Sequence, residues 1–476
     1  MSMRRHLAWM SLSQGCFFLV QFLSSVFVAR LLSPYEMGVY AVAMAIVGVL
    51  STIQSFGLSG FIVRERDMSK DLMASTFTIN AAISLTLGLL VAGLSTVGGA
   101  FLHEKGVRNV MLVLSLSPIL GIFEFLPATN LERSAQFKII AMMNTGRTII
   151  AQGLTVFLAF KGFSYMSMAY GQIAAAIFSA IAYMIVGRQH VSLRLHLAEW
   201  RRVTSFGLNM LAISGVNSIA ARTAEFLLGR LVGLSALGLY SRASNLNNLA
   251  WENIHLVIGR VVFVDLAAQK RNGESLRASY LKIVEIITAL LWPLFAGLAI
   301  VAGPFILAVY GPKWVAAAHP LVMLALSAMV LVAITMTWEI FVVCQETSRQ
   351  AKIEFVRTGA GLAMFAVGCL ISLTGAAAAR VGEAVFSVIL YRPHLNRMTD
   401  TQTSDFTGIY LRSAMLTLVA VAPAAILMWI YHASERTPLA YVVGAVVLGV
   451  TLWLVLLLLF KHPLAQELTR LLKTRG

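Results

Sequence analysis

The sequence predicts an all-α integral membrane protein of about fourteen transmembrane helices, and three observations carry that prediction. Of the 476 residues, 58% are hydrophobic and only 12% charged, about half the charge usage of a soluble globular chain. The mean hydropathy of +0.80 is more than a water-soluble core could hide. The apolar residues come in Leu-, Ala-, Val- and Gly-rich runs of about twenty, the length a bilayer-spanning helix requires. In lipid only helices and closed barrels satisfy every backbone group, and a barrel would show short segments alternating every second residue. Helices are the solution the pattern allows.

The first run, from about residue 7 to 30, is longer than a signal-peptide core and lacks a cleavage site, so it is expected to be a retained first helix. Five further spans follow at 38–62, 72–102, 110–130, 139–160 and 165–187. After a basic segment come 204–232, 239–266, 280–309, 318–343, 353–371 and 377–390, then 408–431 and 438–460. The organisation expected is a six-helix lobe over 1–187, a cytoplasmic linker at 188–203, a second six-helix lobe over 204–400, two added helices within 401–460 and a basic cytoplasmic tail at 461–476. With the N-terminus inside, 22 Lys and Arg residues fall in inside segments and five (Lys105, Arg108, Lys161, Lys313 and Arg436) in outside loops. That bias meets the positive-inside rule and places both termini in the cytoplasm. The tail sets Leu464, Leu468, Leu471 and Leu472 among basic residues, a pattern suited to anionic membrane lipids.

The net charge of +16 is thereby mostly topological and does not call for nucleic acid. Cys16, Cys344 and Cys369 lie in or beside apolar runs with no CxxC pair, so neither a disulfide framework nor a metal site is expected. No metal-spaced His pair or nucleotide loop occurs, and no cofactor is implied. The aromatic residues Trp9, Tyr310, Trp314, Trp338 and Tyr431 have the positions of interfacial anchors. Every loop is short, which leaves no room for a separate soluble domain.

Comparing the chain with itself reveals a repeat. Phe27–Met44 aligns without gaps on Leu227–Ser244, pairing Arg30 with Arg230, Leu31 with Leu231, Gly38 with Gly238, Tyr40 with Tyr240 and Ala43 with Ala243. Leu72–Leu102 aligns on Leu276–Ile306, where Ala74, Ser75, Gly93 and Gly99 match Ala278, Ser279, Gly297 and Gly303. Helices 1–3 thus recur as 7–9. The copies are six helices apart, an even number, so they share one orientation. Two parallel six-helix lobes are an alternating-access design.

Charges inside the spans are costly and usually face a cavity, pair or snorkel. Arg30, Arg147, Arg222, Arg230, Arg242, Arg260, Lys282, Arg357, Arg380 and Arg412 lie in or at the ends of spans, with Glu124, Glu225, Glu252, Asp265, Glu285, Glu339 and Glu383. Lys282, Arg357, Arg412 and Asp265 are expected to snorkel from helix ends, and Arg380 and Glu383 to neutralise each other one turn apart. Arg30, Arg147, Arg222, Arg230, Arg242 and Arg260 remain, a ladder suited to an anionic substrate because guanidinium groups bind phosphate through paired hydrogen bonds. Pairing of Arg222 with Glu225, and of the rest with backbone carbonyls, is the structural alternative. Glu225 and Glu252 replace Ser25 and Thr52 of the first copy. With Glu339 they are candidates for ion coupling, since a desolvated carboxylate can carry a proton.

ARLLSPYEMGVYAVA after helix 1, LLGRLVGLSALGLYSRASNLNNL from helix 7 into 8 and VYGPKWVAAAHPLVMLAL after helix 9 resemble bacterial polysaccharide flippases, including the O-antigen (Wzx-type) and exopolysaccharide flippases. These form the polysaccharide transporter family of the multidrug/oligosaccharidyl-lipid/polysaccharide superfamily. The resemblance runs from the N-terminus to about residue 400. The chain departs from it at Val264, where members often have Pro, and at Glu225, where they often have Asp. It implies two lobes in a V, in the bacterial inner membrane. It also implies transfer of an undecaprenyl-diphosphate-linked oligosaccharide from the cytoplasmic to the periplasmic leaflet, alongside other polysaccharide-assembly proteins. A drug or cation antiporter of the same superfamily would favour an acidic, aromatic cavity over a basic one. A polysaccharide polymerase or ligase would need a large outside loop, and a major-facilitator transporter would carry a Gly-rich basic signature where this chain has RERDMSKD at 64–71.

Overall fold

A computed structural model describes residues 20–54, 58–64, 69–101, 104–134, 136–187 and 196–465. Among these residues the regular structure is helical and contains no strand. Helix α1 covers Val20–Leu31. The next elements are α2 (Pro34–Gln54), α3 (Leu58–Arg64), α4 (Lys70–Phe101), α5 (Lys105–Leu114), α6 (Leu116–Arg133), α7 (Phe137–Phe160), α8 (Met166–Val186) and α9 (Trp200–Leu231). They are followed by α10 (Leu234–Arg271), α11 (Arg277–Ile300), α12 (Ala302–Tyr310), a short 3-10 helix (Pro312–Ala317), α13 (Ala318–Val332), α14 (Thr337–Val343), α15 (Thr347–Ile371), α16 (Leu373–Thr399), α17 (Asp405–Ile430) and α18 (Leu439–Leu459).

Each expected span has a helical counterpart among the described residues, the first only from Val20 since 7–19 lie outside them, and ten described segments are long and apolar enough to cross a membrane. Helices α7, α9 and α10 are not among those ten. Large apolar side chains such as Leu89, Phe160, Ile371, Trp429 and Phe460 are exposed. Lipid is the solvent that tolerates them.

The chain forms two compact units, Met1–Gly238 and Leu239–Gly476. In unit 1, α8 packs on α6 and α7, α4 on α5 and α6, and α2 on α5 and α9. Helix α2 starts with a reciprocal cap. The Ser33 amide donates to Glu36 Oε2 at 2.7 Å and the Glu36 amide donates to Ser33 Oγ at 3.3 Å, with Pro34 at the first helical position, where its missing N–H costs nothing. The Ser164 hydroxyl also donates to Glu36, fixing the turn before α8 beside the start of α2. The repeat is visible here, since α2 starts at Pro34 and α10 at Leu234. A Cβ on Gly38 would lie 1.8 Å from the Leu234 carbonyl oxygen, and one on Gly238 would lie 1.9 Å from that of Pro34. Only glycine allows this backbone-to-backbone approach.

In unit 2, α15 and α16 form a hairpin, α13 packs on α16 and α11, and α17 on α11 and α18. Tyr280, Phe295, Phe341, Leu395 and Phe406 are fully or almost fully buried in its core.

Among the described residues three expected spans are interrupted: 110–130 at Ser115, 280–309 at Val301 and 318–343 between α13 and α14. At the last break Met336 adopts φ 59°. The freed Ala333 carbonyl accepts from Arg392 Nη2 at 2.6 Å and from the Tyr410 hydroxyl at 2.8 Å. Arg392, which the expected spans 377–390 and 408–431 leave in a connecting loop, is instead a buried residue of α16, its guanidinium 4.2 Å from the centre of the Phe406 ring. Tyr310 and Trp314 are not interfacial anchors either. Both are buried, because they flank a buried cation. Leu464 belongs to a protein core with Ala289, Leu416 and Leu457. The rest of the lipid-seeking tail, from 466 onward, lies outside the described residues.

Candidate functional site

Among the described residues of unit 1, two ion pairs join predicted site residues to carboxylates. On α9, Arg222 Nη1 lies 3.0 Å from Glu225 Oε2, the one-turn spacing that brings helix side chains together. The facing residue on α2 is Gly48, where a Cβ would lie 2.7 Å from Arg222 Nε. The missing side chain makes the slot the guanidinium occupies. Both members stay partly open, with 37% and 31% of their side chains exposed.

The second pair bridges two helices. Arg147 Nη1 of α7 lies 3.4 Å from Glu124 Oε1 of α6, with 41% and 23% of the side chains exposed. The neighbouring Thr145 and Thr148 hydroxyls donate to carbonyls of their own helix, Ala141 and Asn144. They leave the carboxylate to Arg147. Tyr183 of α8 is close enough to feel both charges.

The remaining predicted residues are dispersed. Arg30 and Arg230, matched by the repeat, are exposed at the ends of α1 and α9. Arg242 is buried in unit 2, its guanidinium 5.1 Å and 5.5 Å from the centres of the Tyr310 and Trp314 rings. That cation–π setting keeps it from the more open environment of Arg147 and Arg222. Glu339 is buried in the first turn of α14. The side chains of Arg260 and Glu252, on α10, lie outside the described residues.

Unit 2 contains a charge network the sequence only half indicated. Glu383 of α16 accepts from Arg357 Nη1 and Arg380 Nη1, each at 2.6 Å. Glu354 pairs with Arg357 and accepts from the Tyr391 hydroxyl at 2.5 Å. Arg380 Nε donates to the Tyr240 hydroxyl at 3.2 Å, and its guanidinium sits 4.3 Å from the Phe365 ring centre. Arg357 therefore does not snorkel; two carboxylates hold it inside. Gly361 makes room for Glu383, since a Cβ there would come within 2.5 Å of the carboxyl carbon. Two cations and two anions leave this set neutral and mutually satisfied. Glu285 of α11 lies 3.6 Å from both Arg412 and the buried His462.

Helix spacing paired Arg222 with Glu225, but sequence reasoning did not join Glu124 to Arg147. The signal was present. Glu124 lies nine residues before the end of α6 and Arg147 ten residues after the start of α7, and in a helical hairpin such positions stand at one level.

The profile of the polysaccharide biosynthesis protein family matches residues 27–319. The chain is 22% identical over 293 residues to the lipopolysaccharide biosynthesis protein WzxC of Escherichia coli (strain K12), covering 60% of this chain and 58% of that protein. It is 24% identical over 323 residues to the succinoglycan biosynthesis transport protein ExoT of Rhizobium meliloti (strain 1021), covering 68% and 65%. With the teichuronic acid biosynthesis protein TuaB of Bacillus subtilis (strain 168) the match covers 67% and 66%. The chain thus spans somewhat less than two thirds of the length of these relatives. Among solved structures, the lipid II flippase MurJ in an inward closed conformation superposes with a TM-score of 0.75 at 14% identity, over 95% of this chain and 98% of that one. An inward-facing multidrug resistance MATE family transporter of the MOP superfamily gives 0.62 at 14% identity, over 81% and 96%. With a multi-pass helical fold shared with those transporters and a family match over more than half its length, the chain belongs to the polysaccharide biosynthesis protein family.

Proposed function

We propose that this protein is a flippase that moves an undecaprenyl-diphosphate-linked oligosaccharide from the cytoplasmic to the periplasmic leaflet of the bacterial inner membrane by alternating access, without cofactor or covalent chemistry. The observation that carries the proposal is Arg222, a guanidinium set in a slot made by Gly48 and left partly open, at the depth expected from the sequence. A diphosphate offers that group a stronger partner than Glu225, since it accepts paired, charge-assisted hydrogen bonds. Arg147 is the second such group, and Arg30 and Arg230 lie at the helix ends on the outer side expected from the charge bias. Arg242 supports the substrate path from within the protein, by its packing. Glu225, one of the coupling candidates, lies beside that open guanidinium. The two six-helix lobes, 1–187 and 204–400, with both termini cytoplasmic, complete the proposal. Anionic lipids and other assembly proteins are the proposed partners.

The test is genetic and chemical together. Deleting the gene should halt polysaccharide export and accumulate a lipid-linked oligosaccharide on the cytoplasmic side. Arg222→Ala should reproduce that accumulation at normal membrane abundance, and Arg222→Lys should restore only part of the export. Normal export by Arg222→Ala would remove the site from the mechanism.

A further inference from the structure

The intramembrane acids of the two units are placed differently. In unit 2, Glu383 and Glu354 are saturated by Arg357, Arg380 and Tyr391 within a neutral, largely buried network. Neither can take a proton or release its cation without breaking several contacts at once. In unit 1, Glu124 is held by one long contact to a guanidinium with 41% of its side chain exposed. That is a looser hold than the several short contacts on Glu383 and Glu354. A phosphate can outbid the carboxylate for Arg147.

We propose that Glu124 is a proton-coupling residue of transport, exchanging Arg147 for a proton each time a phosphate group takes the guanidinium. The inference rests on the diphosphate reading above and extends it to a residue on α6. Phosphate oxygens accept the N–H bonds of Arg147 that Glu124 had accepted. Glu124, left without a counter-charge in a low-dielectric setting, takes one proton from water. When the phosphate leaves, the guanidinium returns and that proton goes back to solvent, so the cycle balances in charge and atoms. The groups facing Glu124 from the neighbouring helices are Arg147 on α7 and Tyr183 on α8. Because the pair links α6 to α7, each exchange also loosens one helix from the other, whereas Arg222 and Glu225 share α9 and cannot do this.

Farnesyl diphosphate, an isoprenyl diphosphate without sugar, serves as probe on the full-length protein in detergent micelles. Affinity is read by tryptophan fluorescence and proton uptake by an indicator dye in weak buffer. The wild type should bind the probe with proton uptake. Glu124→Gln, which removes a competitor of the phosphate, should bind roughly two- to five-fold tighter, the effect of losing one long ion-pair contact. Its uptake should fall by about half, with the remainder lost in the Glu124→Gln/Glu225→Gln double variant. Arg147→Lys should bind more weakly with its melting temperature unchanged. The neutral pair Glu124→Gln/Arg147→Gln carries no orphaned charge; it should show the reduced uptake without the gain in affinity. Uptake by Glu124→Gln equal to the wild type would overturn the coupling role while leaving the diphosphate site intact. Failure of the wild type to bind the probe would instead overturn the diphosphate reading itself.

Discussion

Replacing Glu383 by Gln would test whether the unit 2 network is structural. The carboxylate lies 2.6 Å from each of two guanidinium groups and only 12% of its side chain is exposed. Gln preserves the shape but removes the charge, leaving Glu354 as the carboxylate that still pairs with Arg357. Breaking a buried pair by losing one partner costs about 3–5 kcal/mol. Glu354 still neutralises Arg357, and Tyr240 still accepts from Arg380, so the lower end, about 3 kcal/mol, applies. For a folding unit of this size 1 kcal/mol moves the melting temperature by roughly 2–4 °C, which predicts a drop of about 6–12 °C. The assay is thermal unfolding of the detergent-purified protein followed by tryptophan fluorescence. Removing charge from both members, in Arg380→Met/Glu383→Leu, leaves only the neutral Glu354–Arg357 pair and should recover more than half of the drop. A Glu383→Gln protein that melts within about 2 °C of wild type, or a double variant less stable than the single, would refute the reasoning.

Reporter fusions after residues 66, 198, 270 and 396 should report cytoplasm and those after 105 and 313 periplasm; a periplasmic signal at 198 would break the two-lobe proposal. Gly38→Ala should cost stability, since overpacking of this kind runs to about 1–3 kcal/mol. Gly93→Ala, where nothing lies within 4 Å of the new Cβ, should be neutral or slightly stabilising in a parallel melt. His462, just beyond α18, has its pKa held below the usual 6.5, chiefly by burial and also by Arg412, against the pull of Glu285. The unfolded chain therefore binds a proton first as pH falls below about 6.5, and stability should decline there until the folded form also protonates. Melting temperatures from pH 7.5 to 5 should fall more steeply for wild type than for His462→Gln, and parallel curves would exclude the effect.

Most of the helix positions were legible because apolar runs of bilayer length leave the backbone little choice. The interruptions were not. The stretch Ala333–Met336 contains neither Gly nor Pro, and its break depends on Arg392 and Tyr410, which are distant in sequence. The sequence pattern likewise placed Arg392 in a loop, because only tertiary contacts show that a cation can be kept inside by a carbonyl and two aromatic rings. At the site, Arg222 and Glu225 could be paired by helix spacing alone, and Arg380 and Glu383 in the same way. The contacts of Glu124 with Arg147 and of Glu383 with Arg357 cross between helices, so they required the fold.

The interlock of Gly38 with Leu234 and of Gly238 with Pro34 bears on how the duplicated chain could diverge. Elsewhere the copies have separated freely, with Glu225 in place of Ser25 and Glu252 in place of Thr52. At these turns each copy supplies the wall against which the other is fitted. A side chain gained in one would strike the main chain of its twin, which has no alternative residue with which to retreat. The two glycines thus inherit a joint restraint, and drift at one is blocked by the other for as long as the fold keeps both copies in contact.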